Sequence, residues 1–334
     1  MGVRELHHRT VRQIAFTAAG VLIGVVGIVV GSVREPAPAA PVPAAAPVTE
    51  SRPVTGEFDF RRLADPPRTV VTDGAGRVVA TLTDAARTVN LLGPSRRFSE
   101  PAGTGVGVTS QTWVRMLPGP WSAGAEREPW FRPWLDAALR DRGPDVLAVA
   151  AQHLPGAGDD ARFGVFDTDG DGRGDHSDFF DYLGQPWTYE DGRVEQPDPA
   201  QSGSVDASGF VRLVFGYRSG MPVRTDGDEQ KGAIPRSTDD IAVDGPGAVI
   251  VPDRQSRVTD FGAIQAGDLV FFDTDPDRRA DLVGICMGRD EAGHLRFIAS
   301  RQSADGPTMG DAGGASILDG QGEYPSAFRS VKRL

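Results

Sequence analysis

Apolar and polar positions change their rhythm along the chain, and each rhythm predicts a different kind of element. Residues 14–33, "IAFTAAGVLIGVVGIVVGSV", run for twenty residues without a charge, long enough to cross a bilayer as one helix. Arg4, Arg9 and Arg12 precede it against the single Glu5. The positive-inside rule then keeps residues 1–13 cytoplasmic and sends the remainder outside. The alternative is a signal peptide cleaved near Ala37-Pro38-Ala39, which would leave a secreted protein. Residues 34–58 are rich in Pro and Ala, a composition that stays extended and buries no core.

From residue 59 to about 120, in a β-rich module expected over 59–144, the period shortens to two, the spacing of a half-buried strand. "RTVVTDGAGRVVATLT" (68–83) places two β-branched runs around Asp73-Gly-Ala-Gly76, a hairpin signal. "ARTVNLLG" (86–93) and "VGVTSQTWVRML" (106–117) predict further strands, with Trp113 and Trp121 as core residues. Helical spacing follows in "PWFRPWLDAALRDRG" (129–143), with Pro129 for a first turn and Gly143 as a stop. A second helix is expected in "PDVLAVAAQHL" (144–154), ending near His153. Farther on, a helix is predicted at 207–219, and "GDLVFFD", "LVGICMG" and "LRFIAS" read as three short strands. A helix laid on an antiparallel sheet is an α+β architecture.

Composition narrows the functions available. The formal charge is −11, and no basic stripe of the kind that nucleic acid requires is present. One cysteine, Cys286, excludes internal disulfides and multi-thiolate metal sites. "DTDGDGRGDHSD" (167–178) sets Asp167, Asp169, Asp171, Asp175 and Asp178 at loop positions 1, 3, 5, 9 and 12, with Gly172 at position 6. Alternate oxygens on a curled loop suit Ca²⁺, and the carbonyl of Arg173 would supply position 7. This loop resembles the calcium loops of EF-hand and dockerin-type repeats. "DTDPDRRAD" (273–281) lacks the glycine and is expected to be a plain turn.

Five blocks then occur in a telling order: "YLGQPWTY" (182–189), "DASGFVRLVFG" (206–216), "IQAGDLVFFD" (264–273), "DLVGICMG" (281–288) and "RFIAS" (296–300). Together, across residues 145–334, they resemble the NlpC-type cell-wall peptidases, papain-like enzymes that cut peptidoglycan stem peptides. The resemblance implies a papain-like domain at 145–334, preceded by the β-rich module. It also implies a thiolate nucleophile activated by a helix N-terminus and a histidine, with a third group orienting the ring. At those positions this sequence carries Ala207, Leu282 and Ala299. None can attack a carbonyl or carry a proton. Ser208 adjoins the vacant position, but a helical offset of about 100° is expected to turn it elsewhere. Cys286 shares the face of Leu282 by strand period, about 13 Å away, and is expected to be buried and inert.

The expectation is therefore a membrane-anchored, extracytoplasmic pseudoenzyme that binds peptidoglycan peptide or a cell-wall protein. Trp187, Tyr189, Asp206 and Ser208 would line its groove. Two alternatives stay open: an active hydrolase using other residues, and a structural envelope protein without a ligand.

Overall fold

A computed structural model of the chain describes residues 56–102, 105–166, 175–225, 230–275 and 277–334. The expected anchor (14–33), nearly all of the Pro/Ala segment and the first eight positions of the acidic loop (167–174) lie outside these residues. Among the described residues, no helix is long and apolar enough to cross a membrane.

The period-two zone folds as an antiparallel sheet of five sequential strands: β1 (Phe58–Ala64), β2 (Pro67–Asp73), β3 (Val78–Thr83), β4 (Thr88–Ser99) and β5 (Gly107–Met116). The expected hairpin is β2–β3, and Asp73 ties its loop by accepting from the amides of Ala75 and Arg77. Where β4 bulges, Gly93 lies against the indole of Trp113, and an added Cβ would fall 2.3 Å from the ring. Helix α1 (Phe131–Arg140) covers this sheet. Phe131, Leu135 and Leu139 recur every four residues on its buried stripe, among Trp121, Leu82 and Val71. Each such side chain contributes about 1.5–3 kcal/mol of burial. The helix begins after Pro129, with Pro133 in its first turn, and it ends at Asp141, before Gly143.

Asp145 caps α2 (Val146–Ala151) by accepting from the Ala148 amide. Two small ribbons flank α3 (Phe179–Leu183): β6 (Val165–Phe166) with β7 (Asp175–His176), and β8 (Trp187–Thr188) with β9 (Val194–Glu195). The helix predicted at 207–219 is α4 (Ala207–Val211), continuing as a π turn over Arg212–Tyr217. After α5 (Thr238–Val243) come β10 (Ala248–Val251), β11 (Leu269–Phe272), β12 (Leu282–Arg289), β13 (Leu295–Arg301), β14 (Gly306–Thr308), α6 (Glu323–Ala327) and β15 (Phe328–Arg333). These strands form a second sheet in the order β10-β15-β11-β12-β13-β14. The chain is thus a mixed α and β protein with antiparallel sheets and few helices.

Helix α4 packs against β12 and β13. Its core of Phe210, Val211, Leu213, Val283, Ile285 and Ile298 continues to Val108 and Val114 of β5, so both sheets share buried surface. Strand β15 binds them further. Arg333 pairs with Asp268 at 2.7 Å and donates to Thr83, while the Leu334 carbonyl accepts from Thr88. The β-rich module is joined to the rest by the last strand as well as by its own connection.

Candidate functional site

Helix α4 begins at Ala207, the position expected from the resemblance to carry a nucleophile. Asp206 is its N-cap and accepts from the Gly209 amide at 2.6 Å. Gly209 permits a close approach: a Cβ there would lie 2.5 Å from the Ser177 carbonyl oxygen. Ala207 follows the cap and borders an open groove of about 850 Å³. Leu282, first residue of β12, borders the same groove. The two residues that the resemblance set at the expected nucleophile and base positions therefore border one cavity, and both side chains are hydrocarbon.

The third position falls differently. Ala299 is fully buried among Phe272, Cys286 and Phe297. Its neighbour Ser300 borders the groove and donates to the Val205 carbonyl at 2.6 Å, just before α4. Successive residues of a strand face opposite ways, so the polar side chain near α4 belongs to Ser300.

Ser208 also borders the groove, contrary to the expectation that it turns away. A side chain outside the five sequence blocks holds it there. Arg236 donates to Ser208 Oγ at 2.7 Å and to Asp206 Oδ2 at 2.6 Å, while Ser208 donates to Asp206 Oδ1 at 3.0 Å. The serine lies between a cation and a carboxylate already paired to that cation. The carboxylate that accepts its proton is thus the one Arg236 holds in its ionised form.

Trp187 and Tyr189 do not border the groove. Tyr189 is buried and receives a hydrogen bond from Arg212 at 3.2 Å; burial pushes its phenol up to about 12. Trp187 meets Phe179 edge-on, 4.9 Å between centroids, and packs near Tyr217. Trp187 is thus used in packing against α3, and Tyr189 is held by Arg212.

Beneath this wall lies a buried ion pair. Arg212 is fully buried and holds both oxygens of Asp178 at 2.9–3.1 Å. It also donates to the carbonyls of Arg224 and Ile234, each at 2.8 Å. Asp178 caps α3 through the Phe179 amide at 2.8 Å, and Arg236 approaches it at 3.7 Å. The residue expected to close the acidic loop is thus a cap and ion-pair partner. Positions 167–174 lie outside the described residues.

The other titratable candidates are spoken for. Cys286 is buried, and desolvation pushes its thiol up to about 12, leaving no thiolate at neutral pH. His153 is buried, which lowers its pKa, and its Nδ1 lies 3.0 Å from the Asp159 carbonyl. His294 Nδ1 lies 3.1 Å from Asp319. Among the described side chains, no histidine and no cysteine borders the groove. The carboxylates of Asp273, Asp275 and Asp281 gather within 4.8 Å. Asp281 accepts from Thr274 and Asp275, and Asp273 pairs with Arg329 at 3.3 Å.

No family model matches the sequence, and no curated protein is similar to it. Among solved structures, the chain is similar to an NlpC/P60 family protein from Bacillus cereus, at 12% identity over 84% of this chain and 80% of that one. The TM-score is 0.25.

Proposed function

We propose that the chain is a membrane-anchored, extracytoplasmic cell-envelope protein with an NlpC-like domain that holds a peptidoglycan peptide, or a peptide segment of a cell-wall partner, without cutting it. One observation carries the reading: Ala207 and Leu282 border a single groove that no described cysteine or histidine borders. Amide hydrolysis needs a nucleophile and a proton shuttle. A methyl and an isobutyl group supply neither.

The walls retain the means to bind. Arg236, Arg279 and Arg301 face the groove together with Asp239, Asp281 and Glu323. Charges of both signs suit a stem peptide that itself carries ammonium and carboxylate groups. Ca²⁺ at 167–178 belongs to the same proposal, with the carboxylates of Asp167, Asp169, Asp171 and Asp175 as ligands, because Asp178 is engaged by Arg212. Titration of the full chain with Ca²⁺ to several millimolar, giving neither heat nor a melting shift, would remove that part.

Sedimentation with purified sacculi tests the main reading. The full chain is expected to pellet with sacculi, and Ala207→Arg, which fills the groove, is expected to stay in the supernatant. Equal pelleting of both proteins, or of neither, would sink it.

A further inference from the structure

A second cavity, of about 570 Å³, opens between the β1–β2 turn and the irregular stretch 252–263. Four arginines border it, Arg68, Arg254, Arg257 and Arg329, against two aspartates, Asp65 and Asp260. They come from the β-rich module, from the stretch after β10 and from β15, so folding alone assembles them.

How the guanidiniums are held matters more than their number. Arg68 donates to the carbonyls of Asp65 and Pro66. Arg257 donates to the Gly320 carbonyl at 2.7 Å. Arg329 donates to the Ser326 carbonyl at 2.8 Å and pairs more loosely with Asp273. Arg254 has no hydrogen bond or ion pair among the described residues. Carbonyl acceptors fix a guanidinium without cancelling its charge. Asp260 accepts from the Gly262 amide at 2.9 Å and keeps its charge, as does Asp65, and Arg329 shares Asp273. Four guanidiniums against the two lining carboxylates still leave the cavity positive, on a protein of net charge −11.

The geometry points to a binding site for a soluble phosphate ester. Planar guanidiniums match phosphoryl oxygens two at a time. Ile250, Val251 and Pro252 form an uncharged wall beside the arginines, and the volume accommodates a phosphorylated sugar or polyol. The site is separate from the groove beside α4 and stands or falls independently of it.

Calorimetry on the full chain at low ionic strength tests it, with pyrophosphate as the probe. Saturable binding is expected. Arg254→Gln with Arg257→Gln should weaken it by roughly tenfold or more, and so should raising the salt to about 0.2 M. Both side chains are exposed, so the double variant should keep the native melting temperature. Arg127→Gln, on the exposed turn before α1, should bind like the native chain. Absence of heat up to 10 mM pyrophosphate would overturn the assignment. Undiminished binding by the double variant, or sedimentation with phosphatidylglycerol vesicles without any pyrophosphate binding, would overturn it as well.

Discussion

Replacing Arg212 by methionine tests how the groove wall is supported. The substitution keeps an unbranched apolar stem and removes a guanidinium that meets Asp178 at 2.9 Å and two carbonyls at 2.8 Å. Asp178 would remain buried with Arg236 as its nearest cation, 3.7 Å away. Stranding one member of a buried pair costs about 3–5 kcal/mol. For a folded unit of this size that lowers the melting temperature by roughly 10 °C. Asp178→Asn in the Arg212→Met background should recover part of the loss, because it removes the stranded charge. Urea unfolding followed by circular dichroism at pH 7 measures both variants. A deficit under about 1 kcal/mol for Arg212→Met, or no recovery on adding Asp178→Asn, would refute the reasoning.

Other outcomes follow from single residues. Lys332 is buried and donates to the carbonyls of Ile241 and Gly245 at the end of α5; desolvation lowers its ammonium from 10.5 to about 8. Between those values the unfolded chain holds the proton more than the folded chain does, so stability should rise with pH through that window. Lys332→Met should lose the rise, and parallel urea midpoints for both proteins between pH 8 and 10 would contradict it. Cys286 should resist a thiol-reactive probe at pH 8 in the native chain and react once the chain is unfolded in urea; stoichiometric labelling of the native chain would be the wrong result. Ala207→Cys with Leu282→His should yield a thiol that labels at lower pH than Cys286 does, if the two positions face each other as the groove implies. Labelling that follows an ordinary thiol titration near pH 8.5 would count against that geometry.

Much of the architecture was legible because its strands obey simple periodicity. The β2–β3 hairpin declared itself through β-branched runs around Asp73–Gly76, and β11, β12 and β13 each fell where an apolar run had been read. Strand β15 did not. "FRSVKR" carries three cations, yet it lies between β10 and β11 inside the sheet. Its Lys332 and Arg333 are satisfied by the carbonyls of Ile241 and Gly245 and by Asp268, partners 65 or more residues away in sequence. Local pattern does not report such distant compensation.

The site was legible in its hydrocarbon and opaque in its polar parts. Ala207 and Leu282 stood out because a motif surrounds each of them. Arg236 sits in "KGAIPRST", a segment without periodicity, and only the fold carries it to Asp206 and Ser208. Arg212 offered a weak signal: a lone cation inside "FVRLVF" must be buried and must find a carboxylate. A shift of one residue along β13 separates Ala299 from Ser300, which is the limit of placing a strand residue by resemblance. The resemblance drew Trp187 and Tyr189 toward the groove, whereas Trp187 packs on Phe179 of α3 and Tyr189 accepts from Arg212.

The most direct test follows one stem peptide through the groove. A γ-D-glutamyl-diaminopimelate tetrapeptide, titrated calorimetrically into the full chain and recovered for mass spectrometry after a day, should bind saturably and come back at its original mass. Shorter fragments that vanish with Ser208→Ala would show bond cleavage by this groove and contradict the account.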